Sequence, residues 1–303
     1  MNSTDKPAAQ AFVLFLMAPQ LSPGQLEAVV DYCRSEQLLA DGAQLINKDG
    51  QCFKLDLEFA AEDLASVTLQ FKQLAQQLKL DLVLLSVAEH QQSRKLAVFD
   101  MDSTLIKVEV IDELAKRAGV GDQVIAITAA AMRGELDFNQ SFQQRLGLLK
   151  GLSDDVLADM AAQLPMMEGM QRLIEGLQAL GYKTAILSGG FSYFAEYLQA
   201  KYKFDYAYSN QLEVLDGKVT GRAVGTIVNG ERKVELLKQI ALKEGIDLQE
   251  TIAVGDGAND LPMLAAAGLG VAFHAKPLVK EQARHSVSTL GLDALLYLLA
   301  EQR

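Results

Sequence analysis

Cysteine is almost missing from this chain of 303 residues, with only Cys33 and Cys52 present. Neither sits in a C-x-x-C pair, which excludes a thioredoxin-like redox couple and a cysteine-based zinc site. Cys33 falls in a helical pattern and Cys52 in a strand pattern, so both point to core packing rather than to a bridge. Histidine is equally sparse. His90, His274 and His285 are scattered without ligand spacing and are expected on the surface or in loops. No apolar run is long enough to span a membrane. The opening Met1-Asn-Ser-Thr-Asp-Lys-Pro lacks the basic and apolar regions of a signal peptide, so a cytoplasmic location and no membrane partner are expected. Positive charge is short too: 28 Lys and Arg stand against 39 Asp and Glu, a formal net charge of −11. That opposes nucleic-acid binding, which rests on a positive surface. It does not exclude a small anion, because a local site can be positive on a negative protein. Internal repeats and low-complexity tracts are also absent.

What remains is an apolar-rich sequence, 50% hydrophobic, long enough for two domains. Residues 11–17 have the pattern of a strand. Ser22-Pro23-Gly24-Gln25 is a capping box with proline at N1, and Leu26, Val29, Val30 and Cys33 share one face of the helix that follows. A weak strand at 43–47, the hairpin signal Asp49-Gly50 and the alternating run 52–59 come next. A helix over about 61–79 and a strand over 80–86 complete the order β-α-β-β-α-β, the ferredoxin-like split arrangement. We assign residues 1–90 to this α+β module, with 90–94 as a linker. Its topology resembles the ACT-type ligand-sensing modules, although it carries no diagnostic motif. A dimerisation or packing unit and a regulatory unit for an amino-acid effector fit it equally well.

The second region, 91–303, begins with Lys95-Leu-Ala-Val-Phe99, the signature of a strand buried on both faces. It runs straight into Asp100-Met-Asp102-Ser-Thr104. Alone, that loop reads equally as a turn or a helix cap. Between about 109 and 181 every periodic segment is helical, which suggests a lid over the sheet edge. The parallel rhythm returns with strand 182–187, which ends in Ser188-Gly189-Gly190. A hairpin over 205–228 and a helix from about Lys233 to Gly245 follow. Strand 251–254 ends in Gly255-Asp256-Gly257-Ala258-Asn259-Asp260. Strand 269–273 and a helix over 291–301 close the chain. The fold class expected is α/β: a Rossmann-like core (95–108 and 182–303) interrupted by a helical-bundle cap.

Ligand sites in open parallel sheets lie at the carboxyl ends of the strands, so three polar strand ends converge there. Asp100 and Asp102 come from the first, Ser188 with its glycines from the second, and Asp256, Asn259 and Asp260 from the third. A hydroxyl beside bare glycine N–H groups at a helix start can cradle an anion. Lys233 can place a positive charge on the same oxygens or keep two neighbouring aspartates ionised. Several acids on adjacent loops suit a hard cation with oxygen ligands.

These four ordered motifs resemble those of the haloacid dehalogenase superfamily, and D-x-D-S-T matches the D-x-D-x-T of its phosphatases. Within it the resemblance is strongest to the phosphoserine phosphatase family. It covers about 95–303 and includes Glu109, Met132, Phe138 and Arg145 at that family's substrate-contacting positions. The resemblance implies that Asp100 is the nucleophile and that Asp102 is the general acid and base. It implies Mg²⁺ held by the Asp100 side chain, the Asp102 backbone carbonyl and Asp256, with Asn259 and Asp260 in support. Ser188, Gly189 and Lys233 would hold phosphate oxygens, and Asn259 would border the substrate. Glu109 would pair with the substrate ammonium and Arg145 with its carboxylate, while Met132 and Phe138 wall off water. The implied partner is a small phosphate monoester, O-phosphoserine; another small phosphate, such as phosphothreonine or homoserine phosphate, is the nearest alternative. A homodimer and serine feedback at the N-terminal module also follow from the resemblance. A non-catalytic sensor fits less well, because a binding module has no use for a nucleophile and an acid together.

Overall fold

The computed structural model describes residues 9–299. The chain divides into two compact units, residues 1–93 with 285–303 and residues 94–284.

The first unit is built on β1 (Ala9–Met17), which is followed by α1 (Pro23–Ser35), β2 (Ile46–Asn47) and β3 (Cys52–Ala60). Then come α2 (Leu64–Leu78), β4 (Asp81–Ser86) and the short α3 (Val87–Gln91). The four strands form an antiparallel sheet in the order β2-β3-β1-β4, as the split arrangement requires. Phe12, Leu14 and Leu16 alternate along β1 onto one face, where they pack with Val29 and Cys33 of α1 and Phe71 of α2. Both cysteines are buried and free.

Helix α3 corrects the expected linker. Ser86 and Glu89 form a reciprocal capping box, an S-x-x-E signal that starts a helix where the strand ends. His90 is therefore buried, its ring edge-on to Phe15 at 5.2 Å between centroids. His285 is buried as well, so two of the three histidines depart from the surface expectation.

The second unit starts at β5 (Leu96–Phe99), whose four residues are fully buried. Five helices follow: α4 (Val110–Arg117), α5 (Gly121–Met132), α6 (Phe138–Leu148), α7 (Asp155–Ala162) and α8 (Met170–Ala179). The core resumes with β6 (Lys183–Phe191), α9 (Ser192–Tyr202), and the hairpin β7 (Tyr206–Leu215) and β8 (Lys218–Val224). It ends with α10 (Gly230–Glu244), β9 (Thr251–Gly255), α11 (Leu261–Ala266), β10 (Leu269–Phe273) and α12 (Pro277–Gln282). Its strands lie in the order β10-β9-β5-β6-β7-β8. All neighbours are parallel except the β7–β8 hairpin. The chain leaves β5 towards β6 on one side and later returns as β9 on the other. The carboxyl end of β5 is thus a topological switch point, the place where a crevice opens in such sheets.

The helical insert is shorter than expected. The chain entering and leaving it pairs through an Ile106–Met166 bridge and through Lys107 N–H to Pro165 O and Met167 N–H to Leu105 O, each 2.9 Å. That pairing encloses α4 to α7. Helix α8 packs instead on β6, burying Leu173, Ile174 and Leu177 as a crossover helix does. Helical periodicity alone does not tell which sheet or bundle an apolar face meets.

The last strand, β11 (His285–Val287), and the segment after it belong to the first unit. There the buried Asp81 carboxylate accepts the N–H groups of Ser288 and Thr289 and the Thr289 hydroxyl, at 2.7–2.9 Å. The helix expected over 291–301 is a 3₁₀ run, Leu292–Leu298, and residues 300–301 lie outside the described residues. Leu292, Leu295 and Leu298 are buried at a spacing of three, the period of that tighter helix. Among the described residues, no helix is long and apolar enough to cross a membrane.

Candidate active site

The loops after β5 and β9 and the bulge at Ser188–Gly190 in β6 build the site, and α10 completes it. Asp100 is tied in at once by its N–H to Val254 O at 2.9 Å, which continues the β5–β9 ladder into the loop. The chain then turns so tightly that the N–H groups of Thr104, Leu105 and Ile106 all point to Met101 O, at 3.2, 2.8 and 3.1 Å. The turn puts Ser103 at φ 56°, a left-handed conformation uncommon for a residue with a side chain. Its hydroxyl donates to Glu109 Oε1 at 2.8 Å. Asp102 Oδ1 accepts the N–H of Val110 at the start of α4, 3.2 Å away. Thr104, fully buried, donates to Asp256 Oδ1 at 3.3 Å and so joins the first loop to the third.

Lys233 is the charge at the centre. It lies on the first turns of α10, whose N-cap Asn229 accepts the N–H of Arg232 at 3.0 Å. Its side chain has no exposure, and Nζ stands 2.6 Å from both Asp100 Oδ1 and Asp260 Oδ1. Asp260 Oδ2 in turn accepts the N–H of Gly257 at 2.9 Å. Burial works to lower the Lys233 pKa, and the Asp100 and Asp260 carboxylates reverse that and leave it raised.

One lysine does not balance the acids. Burial, with Asp260 next, pushes the Asp100 carboxyl well above its ordinary range in spite of Lys233. Burial, then Glu109 and Asp100, does the same to Asp102. Burial and Asp260 push Asp256 up to about 7, although Lys276 Nζ stands 3.8 Å from its Oδ2. Crowded carboxyls short of positive charge are what a divalent cation relieves. Asp100, Asp256 and Asp260 each offer an oxygen within 4.8 Å of the others. Three hard carboxylate donors suit Mg²⁺, which keeps waters and substrate oxygens in the rest of its shell.

Ser188 lies with no exposure where β6 leaves its regular register, between Leu187 and Phe191, and its Oγ accepts the N–H of Gly190 at 2.9 Å. The hydroxyl hydrogen is left to donate elsewhere. A Cβ on Gly190 would stand 2.6 Å from Asp102 Oδ2, so a side chain there would displace the Asp102 carboxylate. A Cβ on Gly189 would meet Phe138 Cζ at 2.9 Å, which sets the ring of the insert residue over the glycine loop. Phe138 also stacks nearly parallel to Phe142, 6.3 Å between centroids.

Arg145 reaches toward the same place from α6, its Nε donating to Ser141 O at 3.3 Å. Burial lowers its pKa, while Glu109, Asp112 and Asp102 oppose that, so three acids face one guanidinium. It forms no ion pair within 4.0 Å among the described residues, which leaves its fork of donors for a ligand. Met132 is the outlier of the expected set. It stands 74% exposed at the end of α5, and the structure does not bring it into the buried cluster. Asn259 folds back over Gly257, its Oδ1 2.4 Å from where a Cβ would be.

Four participants were not singled out from the sequence. Thr104 is part of the D-x-D-S-T motif, but its bond to Asp256 joins two loops 152 residues apart and has no local signal. Lys276 follows β10 in a stretch without a motif. Asp112 sat unnoticed on α4. Asn210 is a buried polar residue on β7; its signal was a polar side chain at an inward position of the strand.

The family model for haloacid dehalogenase-like hydrolases matches residues 97–265. A phosphoserine phosphatase of Archaeoglobus fulgidus is 43% identical over 250 residues, 82% of this chain and 73% of that protein. A phosphoserine phosphatase of Haemophilus influenzae is 50% identical over 222 residues, 73% of this chain and 71% of that protein. The crystal structure of a HAD family hydrolase from Salmonella enterica serovar Typhi superposes with a TM-score of 0.86 at 33% identity, covering 96% of this chain and all of that one.

Proposed function

This chain belongs to the haloacid dehalogenase-like hydrolases, and from that premise we propose that it is a magnesium-dependent phosphatase acting on O-phospho-L-serine. The observation that carries the reading is the meeting of Asp100, Asp102, Lys233 and Ser188 at one sheet edge, with Arg145 and Glu109 of the insert facing the same edge. The relatives named above as phosphoserine phosphatases support the choice of substrate.

Asp100 is the nucleophile: its carboxylate oxygen attacks phosphorus and the bond from phosphorus to the serine oxygen breaks. Asp102 gives its proton to the departing oxygen, which leaves as the serine hydroxyl. Its raised pKa suits it to carry that proton. Water then attacks the phosphoryl group on Asp100, Asp102 takes the water's proton, and phosphate and the free Asp100 carboxylate are released. Ser188 and Lys233 donate to the phosphoryl oxygens as their charge shifts. Asp100 and Asp256, with the Asp102 backbone carbonyl and Asp260 in support, would hold Mg²⁺, which when bound would supply positive charge to the phosphoryl oxygens. Arg145 grips the substrate carboxylate and Glu109, steadied by Ser103, its ammonium.

The direct test is phosphate release from O-phosphoserine with and without Mg²⁺, beside phosphothreonine and homoserine phosphate. The reading requires phosphoserine to be turned over fastest. A preference for either of the others would move the substrate assignment, and no turnover on any would remove it.

A further inference from the structure

Asn210 is neither one of the acids nor part of the insert, yet its side chain bonds two segments of the proposed phosphate site. It lies on β7 with 2% exposure. Its Nδ2 donates to Gly189 O at 2.8 Å, and its Oδ1 accepts the N–H of Val228 at 2.8 Å. The first bond has a structural cause. Leu187 faces Tyr208 and Phe191 faces Asn210, so β6 spends two more residues than β7 over that stretch. Ser188, Gly189 and Gly190 bulge out of the ladder there. A buried carbonyl that loses its strand partner must find another, and the Asn210 amide is that partner.

The consequence reaches Ser188. The Gly189 carbonyl and the Gly190 N–H belong to one rigid peptide plane. Asn210 holds the carbonyl side, and Ser188 Oγ accepts from the N–H side at 2.9 Å. Fixing the plane fixes which direction of the Ser188 hydroxyl is spent on Gly190 and which is free to donate. The other end of Asn210 anchors Val228, next to the N-cap Asn229 of the helix that carries Lys233. We infer that Asn210 is a positioning residue for phosphoryl transfer, setting the Ser188–Gly190 loop and the approach of α10 to the same phosphate. The inference rests on the reading of Ser188 as a phosphate-binding group.

Asn210→Leu tests it, because leucine keeps the bulk of the buried side chain but offers neither the donor for Gly189 O nor the acceptor for the Val228 N–H. In the full chain with Mg²⁺, kcat should fall by about 100-fold, as a misplaced binding group costs. KM for phosphoserine should stay within about threefold, since Arg145 and Glu109 are untouched. Thermal unfolding checks that the variant is folded. A folded variant with unchanged kcat, or one altered only in KM, overturns the inference. A second arm needs no variant. In wild-type protein with Mg²⁺, the side-chain ¹⁵N amide signal of Asn210 should shift when inorganic phosphate is added; a signal that stays still at saturating phosphate overturns the inference. Running the kinetics on an aryl phosphate as well separates the two readings. Wild-type turnover of the aryl ester but not of phosphoserine removes the substrate assignment and leaves the Asn210 comparison intact.

Discussion

Lys233 Nζ lies 2.6 Å from Asp100 Oδ1 and 2.6 Å from Asp260 Oδ1, in a place without solvent exposure. The lysine therefore holds the proposed nucleophile and a second acid at one point and keeps a positive charge at the proposed phosphate site. Replacing Lys233 with Met should remove both roles. We expect kcat to drop by about 10²–10³, the cost of one lost transition-state donor. The Mg²⁺-free protein should lose about 3–5 kcal/mol of stability, since breaking a buried pair strands its partners. Phosphate-release kinetics and unfolding in chelator measure the two effects, and a variant within tenfold of wild-type kcat would contradict the assignment.

Asp100→Asn should behave in the opposite way toward stability. Burial, Asp260 and Asp256 all disfavour the Asp100 charge. A neutral amide of the same shape should leave the Mg²⁺-free protein at least as stable as wild type while turnover disappears. Brief reaction with ³²P-labelled substrate should trap a phosphoenzyme in wild type and none in the variant. Label retained by the variant would place the nucleophile elsewhere.

Gly190→Ala probes the fit between the β6 bulge and Asp102, the proposed general acid. The new Cβ would stand 2.6 Å from Asp102 Oδ2 and 2.9 Å from Met101 Cε. Asp102 must move, and displacement of a catalytic group by a fraction of its reach costs on the order of 100-fold in kcat. Far-ultraviolet circular dichroism should be unchanged. Full activity in this variant would show that Asp102 has slack that the structure does not suggest.

Arg145→Ala separates substrate recognition from chemistry. The guanidinium is the cationic fork on the insert, with Glu109 and Asp112 around it. Its removal should cut kcat/KM on phosphoserine by about 10²-fold or more, the weight of a charge-assisted bidentate contact. Hydrolysis of an aryl phosphate without a carboxylate should change little. Equal losses on both substrates would make Arg145 a structural residue of the insert.

Much of this site was legible because its residues carry unusual chemistry at strand ends. Asp100, Asp102, Ser188 and Asp256 lie where a buried apolar run stops at a polar group, and the parallel sheet brings such ends together; Lys233 comes instead from the first turns of α10, and the resemblance rather than a strand end singled it out. Asn210 was hidden for the converse reason. Its role arises from a bulge in β6, and nothing in the sequence of β7 records the irregularity of its neighbour. Met132 shows the limit of position alone, since the resemblance placed it at a substrate contact and it stands largely exposed. In the fold, the β-α-β-β-α-β order was written in alternation and caps. The return of residues 285–303 to the first unit was not, because it depends on Asp81 meeting the N–H groups of Ser288 and Thr289 some two hundred residues away. A buried acid in a strand was the available sign.

The acids also predict how metal binding follows pH. Burial and Asp260 raise Asp256 from 3.8 to about 7 in the protein without metal. A folded-state pKa above the unfolded one means that folding favours the protonated carboxyl. The stability tied to this group is therefore complete below about pH 4 and is lost as pH rises through about 7. Above neutrality the carboxylate is charged and crowded, and Mg²⁺ binding relieves it. Below neutrality Mg²⁺ must displace the proton first. The affinity for Mg²⁺ should be level near pH 8 and weaken by about tenfold per pH unit below 7 for each proton displaced. Calorimetry in two buffers of different ionisation enthalpy counts those protons. At least about one should be released per Mg²⁺ at pH 6 and close to none well above 7. Equal affinity at pH 6 and pH 8 would show that Asp256 is already ionised in the metal-free site, with Lys233 and Lys276 balancing the acids more fully than their 2.6 and 3.8 Å contacts suggest.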